Sequence, residues 1–202
     1  MGGFLAEGLK IKYKKIYVLT SEGYLNKIYQ KLRRTMAERE TIFTSKTSYN
    51  GIFSFNDFYN FCYQWLTEET GLLVTEKKYS EKLTGDSKDV EVVWEGFKDM
   101  TDYFRIEVKI EMRVTKLTSV EITQEGVKVK TNRGRVEMKV KGVLARDYKG
   151  KFDMGAYRKF LRGIYEKWVI PARIDQFEGK IMEECGEFLS QAKAYLDLEA
   201  KR

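Results

Sequence analysis

Histidine is absent from this chain, and with it goes a large part of enzymology. No imidazole is present to act as a general base, to complete a triad or to ligate a metal. Cysteine occurs twice, at Cys62 and Cys185, too few for a disulfide framework or a zinc site. Both fall on apolar positions of helical patterns, so they read as buried free thiols, with one disulfide as the alternative. Proline occurs once, at Pro171. Long apolar runs are missing too. Ile16-Tyr17-Val18-Leu19 is far short of a signal-peptide core or a membrane span. Gly2 is followed by Ala6 where a myristoylation signal wants Ser or Thr. These absences predict a soluble protein of a reducing compartment, with a cytoplasmic location.

Catalytic signatures are equally scarce. There is no phosphate-binding glycine loop, no Gly-x-Ser-x-Gly elbow and no metal-ligand cluster. Asp86, Asp89, Asp99 and Asp102 lie in or beside predicted turns, where aspartate serves local hydrogen bonding. Cys62 has no basic neighbour in sequence to lower its pKa. No catalytic residue, metal or cofactor is assigned.

What the chain does have is charge, unevenly placed. Its 202 residues carry a net charge of +7, on a length that suits one domain with a small appendage. Residues 1–37 hold eight Lys/Arg against two acids, residues 38–124 eleven against sixteen, and residues 125–151 nine against three. Two basic segments therefore flank an acidic middle, a statement about partners and solubility rather than fold.

Periodicity supplies the elements. Residues 9–19, LKIKYKKIYVL, alternate as a half-buried strand, with Lys10, Lys12 and Lys14 on the wet side. Ser21 then reads as an N-cap. Tyr24, Leu25, Ile28, Tyr29, Leu32 and Met36 follow at helical spacing, opposite Lys27, Lys31 and Arg34. That basic amphipathic helix either packs on a core or meets an anionic surface. Residues 41–49 read as a strand, with Asn50-Gly51 as a turn.

The stretch FSFNDFYNFCYQW, 53–65, is the most aromatic in the chain. Phe55, Phe58, Tyr59, Cys62, Trp65 and Leu66 recur at helical spacing with no Lys or Arg among them. Base-stacking aromatics would sit among cations, so this reads as a core helix over 53–70, ended by Gly71, with Phe58, Cys62 and Trp65 buried.

From residue 72 the period is two. Strands are expected over 73–83, 90–97, 103–116, 119–123, 127–131 and 135–148. Gly85-Asp86, Glu125-Gly126 and Asn132-Arg133-Gly134 read as their turns. In FRIEVKIEMRV one face is dry and one wet, as in an antiparallel sheet. In the hairpin VKVKTNRGRVEMKVK, Lys128, Lys130, Arg135, Lys139 and Lys141 are expected to share the outer face. They could meet phosphates, or they could keep a sheet edge from aggregating. Residues 153–200 return to the helical period. Tyr157, Phe160, Leu161, Ile164 and Trp168 form a stripe that Ile174, Phe177, Ile181, Cys185 and Phe188 continue past a kink or short break at Pro171.

The order is strand, aromatic helix, antiparallel meander and long terminal helix. Carried by TIFTSKTSYNGIFSFNDFYNFCYQWL at the front and AYRKFLRGIYEKW at the back, it resembles the helix-grip superfamily of START-type lipid-transfer and polyketide-cyclase-like domains. The resemblance implies an apolar ligand between sheet and terminal helix. The expected architecture is α+β: a basic strand–helix appendage over 1–39, then over 40–202 a curved antiparallel sheet of six to seven strands gripping the C-terminal helix. The expected function is non-catalytic binding of an apolar or lipid-like ligand, with Trp94, Phe104, Ile106, Val108, Tyr157, Leu161 and Trp168 as its contacts. The alternative is a scaffold on membrane headgroups or RNA, using Lys10, Lys12, Lys14, Lys27, Lys31 and Arg34 together with the five hairpin cations. A peripheral position on a membrane goes with that alternative.

Overall fold

The structure is a computed structural model and describes residues 38–124, 127–150, 152 and 155–199. The predicted strand over 9–19 and the predicted helix that follows it lie outside the described residues.

Alternation of apolar and charged residues builds five strands: β1 (Glu38–Phe53), β2 (Leu73–Thr84), β3 (Ser87–Asp99), β4 (Phe104–Gln124) and β5 (Val127–Arg146). They form one antiparallel sheet in the order β1-β5-β4-β3-β2. Strands β2 to β5 are a meander. Strand β1 closes beside β5, with Thr41 opposite Val143 and Tyr49 opposite Val136.

Five strands replace the expected six to seven because two predicted breaks are not breaks. Residues 103–116 and 119–123 merge into β4 through a bulge. Lys116 takes φ 54°, and the register with β5 slips between Thr115 and Thr118, which bends a strand without ending it. Asn132-Arg133-Gly134 stays inside β5, and Asn50-Gly51 stays inside β1. These two glycines stand opposite each other in the ladder, Gly51 against Gly134. A Cβ on Gly134 would lie 3.2 Å from the Leu117 backbone. Glycine here permits close approach rather than a turn. Gly85, at φ 60°, is a true turn residue joining β2 to β3.

Helix α1 (Phe55–Glu68) crosses one end of the dry face. Ser54 caps it by accepting from the Asp57 N–H at 3.4 Å. Past its end, Gly71 at φ 65° turns the chain into β2. Phe55, Phe58, Cys62 and Leu66 are buried. Trp65 is only partly buried, its ring 5.3 Å from that of Phe188. The aromatic stretch is therefore a core helix, with Trp65 at its margin rather than inside.

Of the two expected forms, a kink or a short break, the terminal helix has the break. Helix α2 (Ala156–Ile164) runs into a π-helical turn, Tyr165–Val169, and Ile170 leaves the helical region at φ −123°, ψ 19°. Helix α3 (Pro171–Glu199) then restarts with proline in its first turn, where the missing N–H costs nothing. Phe177, Ile181, Cys185, Phe188, Leu189 and Ala192 of α3 are buried with the inward residues of the sheet in one core. The approach is close at β5. A Cβ on Gly142 would stand 2.5 Å from Ile181 Cγ2 and 3.0 Å from Cys185 Sγ. Both cysteines are free and buried. Burial pushes both thiols upward, Cys185 to about 12.

Candidate functional site

Helix α2 does not continue the stripe of α3 onto the sheet. Its apolar residues and those of the π turn point outward: Tyr157 is 72 % exposed, Phe160 64 % and Trp168 73 %, with Leu161, Ile164 and Val169 also exposed. Its inward side is polar. The side chains of Arg162 and Glu166 are only 13 % and 16 % exposed. The helix is amphipathic in the inverted sense, docked through charge and presenting its apolar face to the outside.

The dock is an ionic cradle to which α2, the π turn, β1, β5, α3 and the residue before β4 all contribute. Arg162 Nε donates to Glu166 Oε1 at 2.8 Å, and its Nη2 pairs with Glu38 at the start of β1. Tyr103, just before β4, donates its hydroxyl to Glu166. Arg146, at the end of β5, pairs with Glu40 and lies 3.7 Å from both Glu166 and Glu178. Burial works against the charge on Glu166. The hydrogen bonds from Tyr103 and Arg162, with the Arg162 and Arg146 charges, outweigh it and hold the carboxyl below its usual range. Burial and the Glu166 hydrogen bond raise Tyr103 well above an ordinary phenol. Beside the cradle, Tyr165 of the π turn packs its ring 5.8 Å from Tyr103 and 6.1 Å from Phe152. Two guanidiniums and four carboxylates meet here, and through Arg162 and Glu166 they anchor α2 and the π turn to the body.

Sequence reasoning missed the cradle, though two signals were present. Arg162 and Glu166 stand at i, i+4. Arg146 continues the inward parity of Val136, Met138, Val140 and Leu144, and a charge on a dry parity needs a partner.

The expected ligand contacts fall into two groups. Trp94, Phe104, Ile106 and Val108 are buried core residues. Phe104 packs on Phe177 at 5.0 Å between ring centroids, and Trp94 on Tyr59 at 4.9 Å. Tyr157 and Leu161 on α2 and Trp168 on the π turn are exposed. The seven therefore do not line one space, because the break at Ile170 separates α2 from the face that α3 covers.

The cations also divide. Lys10, Lys12, Lys14, Lys27, Lys31 and Arg34 lie outside the described residues. Lys128, Lys130, Arg135, Lys139 and Lys141 are all exposed, but β5 is unbroken, so strand alternation sends them to two faces. Arg135, Lys139 and Lys141 share the outer face. Lys128 and Lys130 have the parity of Asn132, whose Oδ1 accepts from the Phe55 N–H on the helix side. The outer-face expectation for these two lysines rested on a turn at 132–134 that does not exist. They ride on a two-stranded ribbon, since β3 and β1 pair no further than Leu117 and Asn132.

On the outer face lies an open groove of about 720 Å³, where Lys141 sits among paired charges. Arg39 is bound to Glu107 at 2.9 Å, and Lys109 to Glu111 at 2.6 Å. The Arg105 guanidinium is held by Asp99 and lies 4.5 Å from the Phe97 ring and 4.2 Å from the Tyr148 ring. Arg39, Arg105 and Lys109 thus each have a carboxylate partner. Among the described residues, no group of His, Cys, Asp or Glu side chains is arranged to hold a metal ion, and no helix is long and apolar enough to cross a membrane.

Comparison with known proteins adds little. No family model matches the chain, and no curated protein matches it. Among solved structures, the chain is weakly similar to the crystal structure of the di-domain ARO/CYC StfQ from the steffimycin biosynthetic pathway. That match has 9% sequence identity and a TM-score of 0.22, and covers 79% of this chain and 52% of the other. This chain thus spans about half the length of that protein, and at that score the likeness says nothing about ligand or chemistry. The fold itself is that of an α+β protein: a five-stranded antiparallel sheet packed against a long C-terminal helix.

Proposed function

We propose that this is a non-catalytic binding protein that engages the interfacial zone of an anionic lipid surface through α2 and the π turn. The observation that carries the reading is the inverted amphipathicity of α2, an outward stripe of Tyr157, Phe160, Leu161, Ile164 and Trp168 on a helix anchored by buried charge. Contiguous apolar faces of this kind are interaction sites. Aromatic rings beside cations suit the headgroup boundary. Arg158 and Lys167 are exposed on the same segment, and Lys167 Nζ stands 5.5 Å from the Trp168 ring. The reading places the apolar contact outside the molecule, because Ile181, Cys185 and Phe188 already occupy the space between sheet and α3.

Vesicle flotation with the full chain tests this. Vesicles containing anionic lipid should retain the protein at low salt, and the Trp168 emission should shift to the blue. Phe160→Ala with Trp168→Ala should abolish retention while the melting temperature stays within a degree or two, since both side chains are exposed. Retention unchanged in that double variant would refute the reading. Binding to RNA but not to vesicles would transfer the cations to the nucleic-acid alternative.

A further inference from the structure

We infer that the free edge of β2 is a docking site for an extended segment of another protein, one that alternates basic and acidic residues and joins the sheet as a sixth strand. The inference goes beyond the lipid reading and does not use α2. Its first ground is topology. Strand β2 is the last strand of the sheet, away from β1, and among the described residues no strand pairs with its free side. Of its twelve residues only Val74 is not exposed. An edge strand leaves alternate N–H and C=O groups without a ladder partner, a template for an added strand. From Lys78 to Thr84 the pairing with β3 is regular, with Lys78 opposite Val93 and Thr84 opposite Ser87. That stretch offers about 23 Å of ladder.

The second ground is charge, which differs between the two faces of this edge. Register with β3 sets Glu76, Tyr79 and Glu81 on the helix side, with Trp94 and Val92, and sets Lys78 and Lys82 on the outer face. On the outer face Lys78 is bound to Glu91, and Lys77 lies 4.0 Å from Glu95. On the helix side Glu81 is held by Lys88 at 3.1 Å. Glu76 is different. Its Oε2 accepts from the Tyr59 hydroxyl at 2.5 Å and from Trp94 Nε1 at 3.4 Å, both neutral donors, and among the described residues no cation pairs with it. The exposed Tyr79 ring stands 6.2 Å from that of Tyr59. A carboxylate beside two phenol rings is a seat for a lysine or arginine side chain.

The same arrangement opposes a second copy. Two β2 edges joined in one continuous sheet put helix side with helix side. Carboxylates then face carboxylates and lysines face lysines, and like charges opposed across strands are destabilising. The bulge between Glu76 and Lys78 acts in the same direction, because it bends the edge away from a flat match with itself. A segment of complementary order meets opposite charge on both faces. Its basic side chains lie toward Glu76 and Glu81, and its acidic ones toward Lys78 and Lys82.

The test uses a capped synthetic heptapeptide that alternates lysine or arginine with glutamate, and an isomer of the same composition with the cations in one block and the glutamates in another. Amide exchange of the full chain is followed by NMR. In the free protein alternate amides of β2 should exchange fast, as unpaired edge groups do. A saturating amount of the alternating peptide should slow them about tenfold or more and leave β4 unchanged, and the block isomer should not slow them. Glu76→Gln keeps an acceptor for Tyr59 and Trp94 but removes the charge. It should weaken the alternating peptide about tenfold, the scale of one charge-assisted contact. No slowing with either peptide, or equal slowing by both, would overturn the inference. So would unchanged affinity in Glu76→Gln. Protection without peptide that grows with protein concentration would make a second copy the occupant and overturn it. Edge amides already as slow as those of β4 in dilute protein would mean that the edge is occupied in the full chain, and would overturn it equally.

Discussion

At the scale of single residues, the core is sensitive to volume in both directions. Phe58 is fully buried, so Phe58→Ala should lower stability by about 3–5 kcal/mol in denaturant unfolding. Gly142→Ala adds only a methyl group, but that methyl would meet Ile181 Cγ2 at 2.5 Å. A cost of about 1–3 kcal/mol is expected from overpacking. The ionic cradle carries the clearest titration signal. Glu166 is held below its ordinary 4.5 in the folded state. Its contribution is therefore complete above pH 4.5 and is lost as pH falls below it. Glu178 is raised by burial and works in the opposite sense, favouring the fold as pH falls. Thermal melts of the parent from pH 6 to pH 3 should fall more steeply than those of Glu166→Gln. Parallel curves for the two proteins would show that the cradle charge does not contribute.

At the scale of elements, α3 rather than the whole terminal region holds the fold. Its buried face meets the inward residues of the sheet, while α2 touches the body through the cradle and Tyr165. A chain ended after residue 152 should be insoluble, because it leaves Ile106, Val108 and Val140 without cover, and a bare sheet face of that size aggregates. A soluble, cooperatively melting product would contradict this. Loss of the anchor should have a smaller and more local effect. In Arg162→Met, amide exchange over 156–169 should accelerate while the β-strands keep their protection, since α2 opens as a unit of its own.

At the scale of the whole molecule, the salt dependence of binding discriminates between partners. Cations attract an anionic bilayer at range, but the α2 stripe adds an apolar contact that salt does not screen. Vesicle retention should therefore fall as salt rises from about 50 mM to about 300 mM and level off above zero. An interaction made only of phosphate contacts would continue to fall, by about a thousandfold or more where roughly six phosphates are neutralised. Retention that reaches zero would assign binding to the lysines alone and leave α2 without a lipid role.

The division between sequence and tertiary structure follows from range. Local pattern sufficed for α1 and for most strand positions, since period two and period 3.6 are properties of neighbouring residues. Phe55, Phe58, Cys62 and Leu66 were legible as core for that reason. The continuity of β4 and β5 was not legible. Gly134 looks like a turn residue in isolation and Lys116 like a strand end, and only the partner strands show that one permits close approach and the other sits in a bulge. The fate of α2 was least legible of all. Its stripe has the same period as that of α3, but period does not say which side faces the body. That was decided by Arg162, Glu166, Tyr103 and Arg146, which lie up to 63 residues apart in sequence and meet only when the sheet is folded. Charges buried together must pair, and pairing them turns the apolar side of α2 outward.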